Sequence, residues 1–267
     1  MYIKLIYEDT NFVVFDKPAG LPSAPLNSED TKDTALKQMV KLYPEILTVH
    51  GKKACEYGLV HRIDTATRGL LLAAKTQEAF NYFQNEQANN RFIKYYTAFC
   101  YAKTYQKPPF SLSSNFRVFG PHRAKVAPVT SDSGRAALKK AGSKIYTTKI
   151  LEITPVNSDS SFGIVKVVCK ITQGYRHQVR AHLAWTGLPI IGDKLYGYTP
   201  TINKNEIKKV NLEMQFFASG LEFNAPSYKK NILITQDCDQ KPLKIMLPEP
   251  SFEQEVFLPL LLDKKNH

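Results

Sequence analysis

Cysteine, acidic residues and long apolar runs are all scarce in this sequence. The four cysteines, Cys55, Cys100, Cys169 and Cys238, lie far apart and form no CxxC pair. That spacing argues against both a zinc site and a disulfide framework. Scattered cysteines in strand-like segments usually serve as small core residues, so a reducing compartment is expected. No apolar run is long enough to span a bilayer. The opening MYIKLIYEDTNFVVF alternates like a strand and lacks the apolar block of a signal peptide. These absences make a cytoplasmic location the expectation, without a membrane. Asp and Glu total 24 against 36 Lys and Arg, a net charge of +12. Such an excess suits a polyanionic partner, nucleic acid before an anionic membrane surface. The hydrophobic fraction of 43% and charged fraction of 22% are those of an ordinary globular domain. A chain of 267 residues suffices for one large domain or two small ones.

Hydrophobic periodicity predicts strands at Tyr2–Tyr7, in FVVFDK, at Leu70–Lys75 and at Phe92–Tyr101. Further strands are expected at Ile145–Thr154, Phe162–Thr172 and Met214–Phe223, with hairpins and basic loops between 103 and 144. Helices are predicted at Thr34–Tyr43, ended by Pro44, and at Gln77–Gln87 with Ala79, Phe80, Phe83 and Ala88 inward. Another is expected at His177–Thr186, stopped by Gly187 and Pro189, and a last one over 251–262. The stretch 203–211 reads as a charged surface excursion. There is no internal repeat. Strands outnumber helices without alternating with them, which predicts an α+β protein with a mixed, largely antiparallel sheet and flanking helices.

Three segments carry chemistry. The first is HRIDTATRG, residues 61–69, running into LLLAAKT. Asp64 is either a turn former, as Asp and Thr often are, or a reacting carboxylate. Arg62 and Arg68 would keep it ionised in both cases, and an ionised carboxylate is what a nucleophile at a sugar carbon requires. The second is QGYRHQVRAHLAWTGLPIIGDKLYG, residues 173–197. Arg176 and Arg180 share a helix face if the helix starts early enough, while His182 reads as a satisfied structural histidine. The third is RFIKYYTAFCYA, residues 91–102. Tyr95 and Tyr96 should point to opposite faces of a strand, one to the core and one to a cleft where it could stack on a base. A sugar-cleaving glycosidase would need two flanking carboxylates; here one aspartate stands among basic residues.

These segments, in this order, resemble the RluA family of pseudouridine synthases. HRIDTATRGLLLAAKT is similar to that family's HRLDxxTSGLLLxAK, and YRHQVRAHLAWTGLPIIGDKLYG to its GRxHQIRxHxxxxGxPxxGDxxYG. FDKPAGLPSAP resembles NKPxGxPxxP, RFIKYYTAFCYA the KxYxAxVxG strand, and FFASGLEFNAP the LHAxxLxFxHP tail. The likeness extends over about residues 3 to 250. It departs at Arg68, commonly Ser in the family, at Tyr175, commonly Arg, and at Phe217, commonly His. The resemblance implies the pseudouridine synthase fold around a central basic cleft, as a single catalytic domain over 1–267 without an N-terminal S4 domain. It implies isomerisation of uridine to pseudouridine in structured ribosomal or transfer RNA, by a monomer, with no metal and no cofactor. Asp64 would initiate, Arg180 would pair with it, and Tyr96 would stack on the uracil. His61, Arg62, Arg68, Arg176, His177 and Gln178 would contact RNA. The alternative of another class is a non-catalytic RNA-binding or RNA-folding protein on the same scaffold.

Overall fold

A computed structural model describes residues 1–102, 104–156, 163–197, 213–229, 232–234 and 242–250. The expected helix over 251–262 and the charged excursion at 203–211 lie outside the described residues. The chain forms two compact units, one made of Met1–Tyr96 with Phe217–Pro248, the other built on Thr97–Phe216.

In the first unit, β1 (Lys4–Glu8) and β2 (Phe12–Lys17) form an antiparallel hairpin. The Asp9 carboxylate closes its turn by accepting the backbone N–H of Asn11 at 2.7 Å and of Phe12 at 2.9 Å, the local bond that makes Asp a turn residue. Helix α1 (Ala35–Leu42) is capped by Thr34, whose hydroxyl accepts from the Lys37 N–H. Two short 3-10 turns follow, Pro44–Thr48 and Ala54–Glu56, neither visible in the sequence pattern. Strand β3 (Arg68–Ala74) lies antiparallel to β2, with Lys17 opposite Gly69. Helix α2 (Gln77–Ala88) is capped in the same way by Thr76. Each such cap stabilises its helix by about 1 kcal/mol. Ala79, Phe80 and Phe83 are inward as the periodicity predicts, but Ala88 is exposed and Tyr82 and Glu86 are buried in its place. The buried face turns because Arg91 reaches back to pair with Glu86 at 2.6 Å, which makes the carboxylate tolerable inside.

Strand β4 (Ile93–Tyr101) leads out of this unit into the other. The second unit holds β5 (Phe110–Phe119), β6 (Lys125–Val129), the short helix α3 (Arg135–Leu138), β7 (Tyr146–Pro155), β8 (Ile164–Ile171) and helix α4 (Gln178–Trp185). Here β5 pairs antiparallel with both β6 and β7, and β7 with β8. Ala181 of α4 packs on Phe116 and Val126, with Tyr146, Tyr175 and Tyr196 around them. The chain returns to the first unit through β9 (Phe216–Phe223), then β10 (Ser227–Lys229) and β11 (Ile232–Ile234), which pair with each other, and β12 (Leu243–Met246), which pairs with β9. β9 runs parallel to the start of β3, with Gly69 beside Ala218. A side chain at Gly69 would put its Cβ 2.3 Å from the Ala218 carbonyl, and its φ of +130° is disfavoured for other residues. The glycine after Arg68 is therefore what lets the two strands meet. The first unit's core is aromatic: Phe92 stacks on Phe223, and Phe83 meets Phe12 and Phe223 edge-on. Full burial of one such side chain contributes roughly 1.5–3 kcal/mol. The pairing is thus mixed and mostly antiparallel, as expected of the α+β class.

Candidate active site

The loop bearing Asp64 is gripped from both sides by the Pro/Gly segment after β2. Ser23 donates to the Ile63 carbonyl at 2.7 Å and accepts from the Ile63 N–H at 3.2 Å. Gly20 N–H donates to the Thr65 carbonyl at 2.8 Å. Lys17 is fully buried, and its ammonium donates to the carbonyls of Leu21 at 2.7 Å, Pro18 at 2.9 Å and Thr65 at 3.2 Å. Asp64 thus sits between two pinned residues, at the head of a turn closed by Thr67 N–H on its own carbonyl. Its place at the head of that turn is the turn-forming role its residue type suggests. Burial pushes Lys17 down to about 8, against the opposing charges of Asp64 and Asp16. Neither Lys17 nor Ser23 stands out in the sequence. The one clue is a lysine closing an otherwise buried apolar strand.

The first unit also places the other residues of the motif. Arg62, half-exposed, pairs with the buried Glu56 at 2.9 Å. Glu56 is held by a loop whose next residue, Tyr57, has φ of +43°. Arg68, which departs from the family's usual Ser, pairs with Asp16 at 3.1 Å across β2 and β3. A carboxylate opposite the guanidinium gives the extra cation a counter-charge. His61 is buried against Phe92, with ring centroids 5.6 Å apart. Tyr95 and Tyr96 are adjacent on β4, so their rings leave opposite faces of the strand, and both are largely buried. Tyr95 spends its hydroxyl on Glu222 at 2.6 Å beneath the Lys244 ammonium, so the far face of the strand is covered too.

The second unit explains the LPIIGDKLYG loop. Arg180 donates from Nε to Asp193 Oδ2 at 2.7 Å and from Nη2 to Oδ1 at 2.8 Å, a buried two-pronged pair. Asp193 also accepts the N–H of Leu195 at 2.8 Å and Tyr196 at 3.2 Å. Burial by itself pushes the Asp193 carboxyl up, yet the Arg180 hydrogen bond and charge and the two N–H groups together hold it below its ordinary value. The Arg180 guanidinium lies over the Tyr196 ring at 5.3 Å. Tyr196 in turn accepts the Val126 N–H and bonds His177 Nδ1 at 3.1 Å. Asp193 and Tyr196 of GDKLYG therefore fix one arginine, and the backbone N–H groups of Leu195 and Tyr196 fix Asp193. Asp193 and Tyr196 were not singled out in the sequence.

Two expectations for this segment are corrected. The helix starts at Gln178, so Arg176 precedes it and shares no helical face with Arg180. Left-handed backbone at His177 breaks the helix there; Arg176 turns away to bond the Arg123 carbonyl. Gln178, expected at the RNA, is buried, and its amide is spent inside the unit. It accepts from Tyr175 N–H and donates to the Thr147 carbonyl and the Thr148 hydroxyl. His182 is the satisfied structural histidine the sequence suggests, bonded to Ser114 at 2.9 Å and Thr148 at 2.8 Å. Burial pushes it down to about 4. An unfolded histidine takes its proton near 6.5, so the folded state resists protonation. The stability from His182 is whole above pH 6.5 and is lost as pH falls toward 4. The urea midpoint should drop over that window by the equivalent of on the order of 1–3 kcal/mol. The profile of His182→Gln, which keeps hydrogen-bonding groups without the titration, should be flatter. Equal slopes for the two proteins would remove His182 from this account. Among the described residues, no group of three or more His, Cys, Asp or Glu side chains could hold a metal ion, and no helix is long and apolar enough to cross a membrane.

The fold is that of the pseudouridine synthases. Solved structures of human "RNA Pseudouridylate Synthase Domain Containing 1" and "Domain Containing 4" superpose with TM-scores of 0.64 and 0.61. They are 20% and 19% identical and cover 95% and 96% of this chain and 86% and 92% of theirs. The chain belongs to the RNA pseudouridylate synthase family, whose pattern matches residues 11–185. Among curated relatives, the ribosomal large subunit pseudouridine synthase D of Borreliella burgdorferi is 26% identical over 86% of this chain and 64% of its own length. The synthase C of Rickettsia felis is 30% identical over 72% of this chain and 55% of its own. The chain thus spans between half and two thirds of the length of these relatives.

Proposed function

We propose that this protein isomerises uridine to pseudouridine in RNA, with ribosomal RNA as the substrate class. The observation that carries the reading is the Asp64 loop, held at both neighbours of the aspartate by Ser23, Gly20 and Lys17. A loop so fixed suits a group that must meet a sugar carbon in one geometry. The names of the curated relatives support ribosomal RNA over transfer RNA. In the reaction the target uridine is flipped out of its helix. Asp64 either attacks C1′ or removes the C2′ proton, and the N1–C1′ bond breaks. The uracil turns while held and C5 joins C1′ as the Asp64–C1′ ester bond breaks, or as the carboxyl returns the proton to C2′. The C5 proton is then removed and N1 gains one, so the net change is an isomerisation. Tyr96 is assigned the stacking position against the uracil and a part in removing that proton. Arg180, oriented by Asp193, is assigned the cation that keeps the initiating carboxylate ionised. Arg62 is assigned the gap left by the flipped base or a neighbouring phosphate.

A pseudouridine-specific chemical map of RNA from cells with and without the protein tests the reading. We expect one or more sites to vanish from ribosomal RNA. Loss confined to transfer RNA would overturn the substrate class. RNA binding without any lost site would favour a non-catalytic RNA-binding protein.

A further inference from the structure

Lys94 lies two residues before Tyr96 on β4, so the two side chains leave the same face of the strand. It is buried, yet it makes no hydrogen bond or ion pair with any described residue. Beside it, His61 is buried with neither ring nitrogen bonded to a described residue. A neutral imidazole carries one N–H donor, and a buried donor without an acceptor is disfavoured. A third group, Lys52, is oriented by Gln87, which accepts from its ammonium at 3.3 Å and donates to the Val60 carbonyl next to His61 at 3.0 Å. The nearby carboxylate, Glu56, is engaged by Arg62. Glu56 and Arg62 offset each other, while Lys52 and Lys94 both lie close enough to act on His61. Buried charges are normally paired. Here no acceptor for Lys94 or His61 is found among the described residues.

We propose that Lys94, Lys52 and His61 form an anion subsite that takes one phosphate group of the RNA strand beside the reacting uridine. The inference rests on the RNA reading given above and adds to it a site on the strand that carries Tyr96. A lysine's four-carbon stem fills buried space while its ammonium reaches toward the rim to meet the anion. Burial and the Lys52 charge push Lys94 down to about 8, and a bound anion would restore it.

The test uses the full chain and Lys94→Met, which keeps the volume of the side chain, with Lys41→Met at an exposed position of α1 as control. At constant ionic strength, exchanging chloride for inorganic phosphate should raise the melting temperature of the wild type and of Lys41→Met, but not of Lys94→Met. In chloride, Lys94→Met should melt higher than the wild type, because an uncompensated buried charge is gone. Its RNA affinity should fall about tenfold, and the slope of log affinity against log salt should decrease by about one. An unchanged phosphate response and salt slope in Lys94→Met would overturn the subsite, even with pseudouridine still formed. The expected phosphate response in a wild type that forms no pseudouridine on any RNA would sustain the subsite and overturn the functional reading.

Discussion

Asp64→Asn should abolish pseudouridine formation, by at least about 10⁴-fold at saturating RNA, the scale on which loss of an essential nucleophile or base acts. The substitution keeps the shape of the side chain and removes its charge and basicity. Bonds from Ser23, Gly20 and Lys17 pin the loop through the backbone of residues 63 and 65, which the substitution leaves in place. The fold and the RNA affinity should therefore persist. A further consequence falls on Lys17. Asp64 is one of two charges that oppose the downward push of burial on that ammonium, so its pKa should move below about 8 in the variant. Release of tritium from RNA carrying 5-tritiated uridine reads the activity, and anisotropy reads the binding. Activity within tenfold of the wild type would take the initiating role away from Asp64.

Asp193→Asn should destabilise the protein strongly, although the change is conservative in shape. The Arg180–Asp193 pair is almost wholly removed from solvent. Breaking such a pair from one side leaves an uncompensated buried charge, at a cost of about 3–5 kcal/mol. In a chain of this size that corresponds to a melting temperature lower by roughly 10 °C. Activity should fall with it, since the orientation of Arg180 depends on this carboxylate. Adding Arg180→Met should recover part of the stability, because the orphaned charge is then gone, but none of the activity. The carboxyl is held below its ordinary value in the folded state, so the stability it contributes is present above about pH 4 and is lost as pH falls through the depressed value. A single variant that melts within 2 °C of the wild type by calorimetry would show that the pair is not structural.

Much of the fold was legible because it is written at short range. The short apolar run in FVVFDK and the apolar run after HRIDTATRG correspond to β2 and β3 within two residues. The helix at 178–185 stops where Gly187 and Pro189 indicate. The places where the pattern misleads are those where a distant partner intervenes. Glu86 is buried where Ala88 was expected to be, because Arg91 neutralises it. Gln178 turns inward because Thr147 and Thr148 of β7 offer acceptors thirty residues back in the chain. Arg68, a departure from the family pattern in the sequence, is in space one half of an ion pair with Asp16, 52 residues away.

The sequence by itself determined the chemistry that the motifs can carry: an aspartate among basic residues, a tyrosine strand and an arginine helix, in the order of one family. Residue type and local spacing are sufficient for that, since turn, strand and helix preferences act over a few residues. Only the tertiary structure decided which side chains hold the Asp64 loop, which carboxylate clasps Arg180, and that Lys94 and His61 are buried with no acceptor among the described residues. Those facts depend on pairings between residues dozens of positions apart, such as Lys17 with Thr65 and Ser23 with Ile63. Local propensity carries no record of such partners. They exist because burial removes water from polar groups, and each must then find a bond wherever the fold provides one.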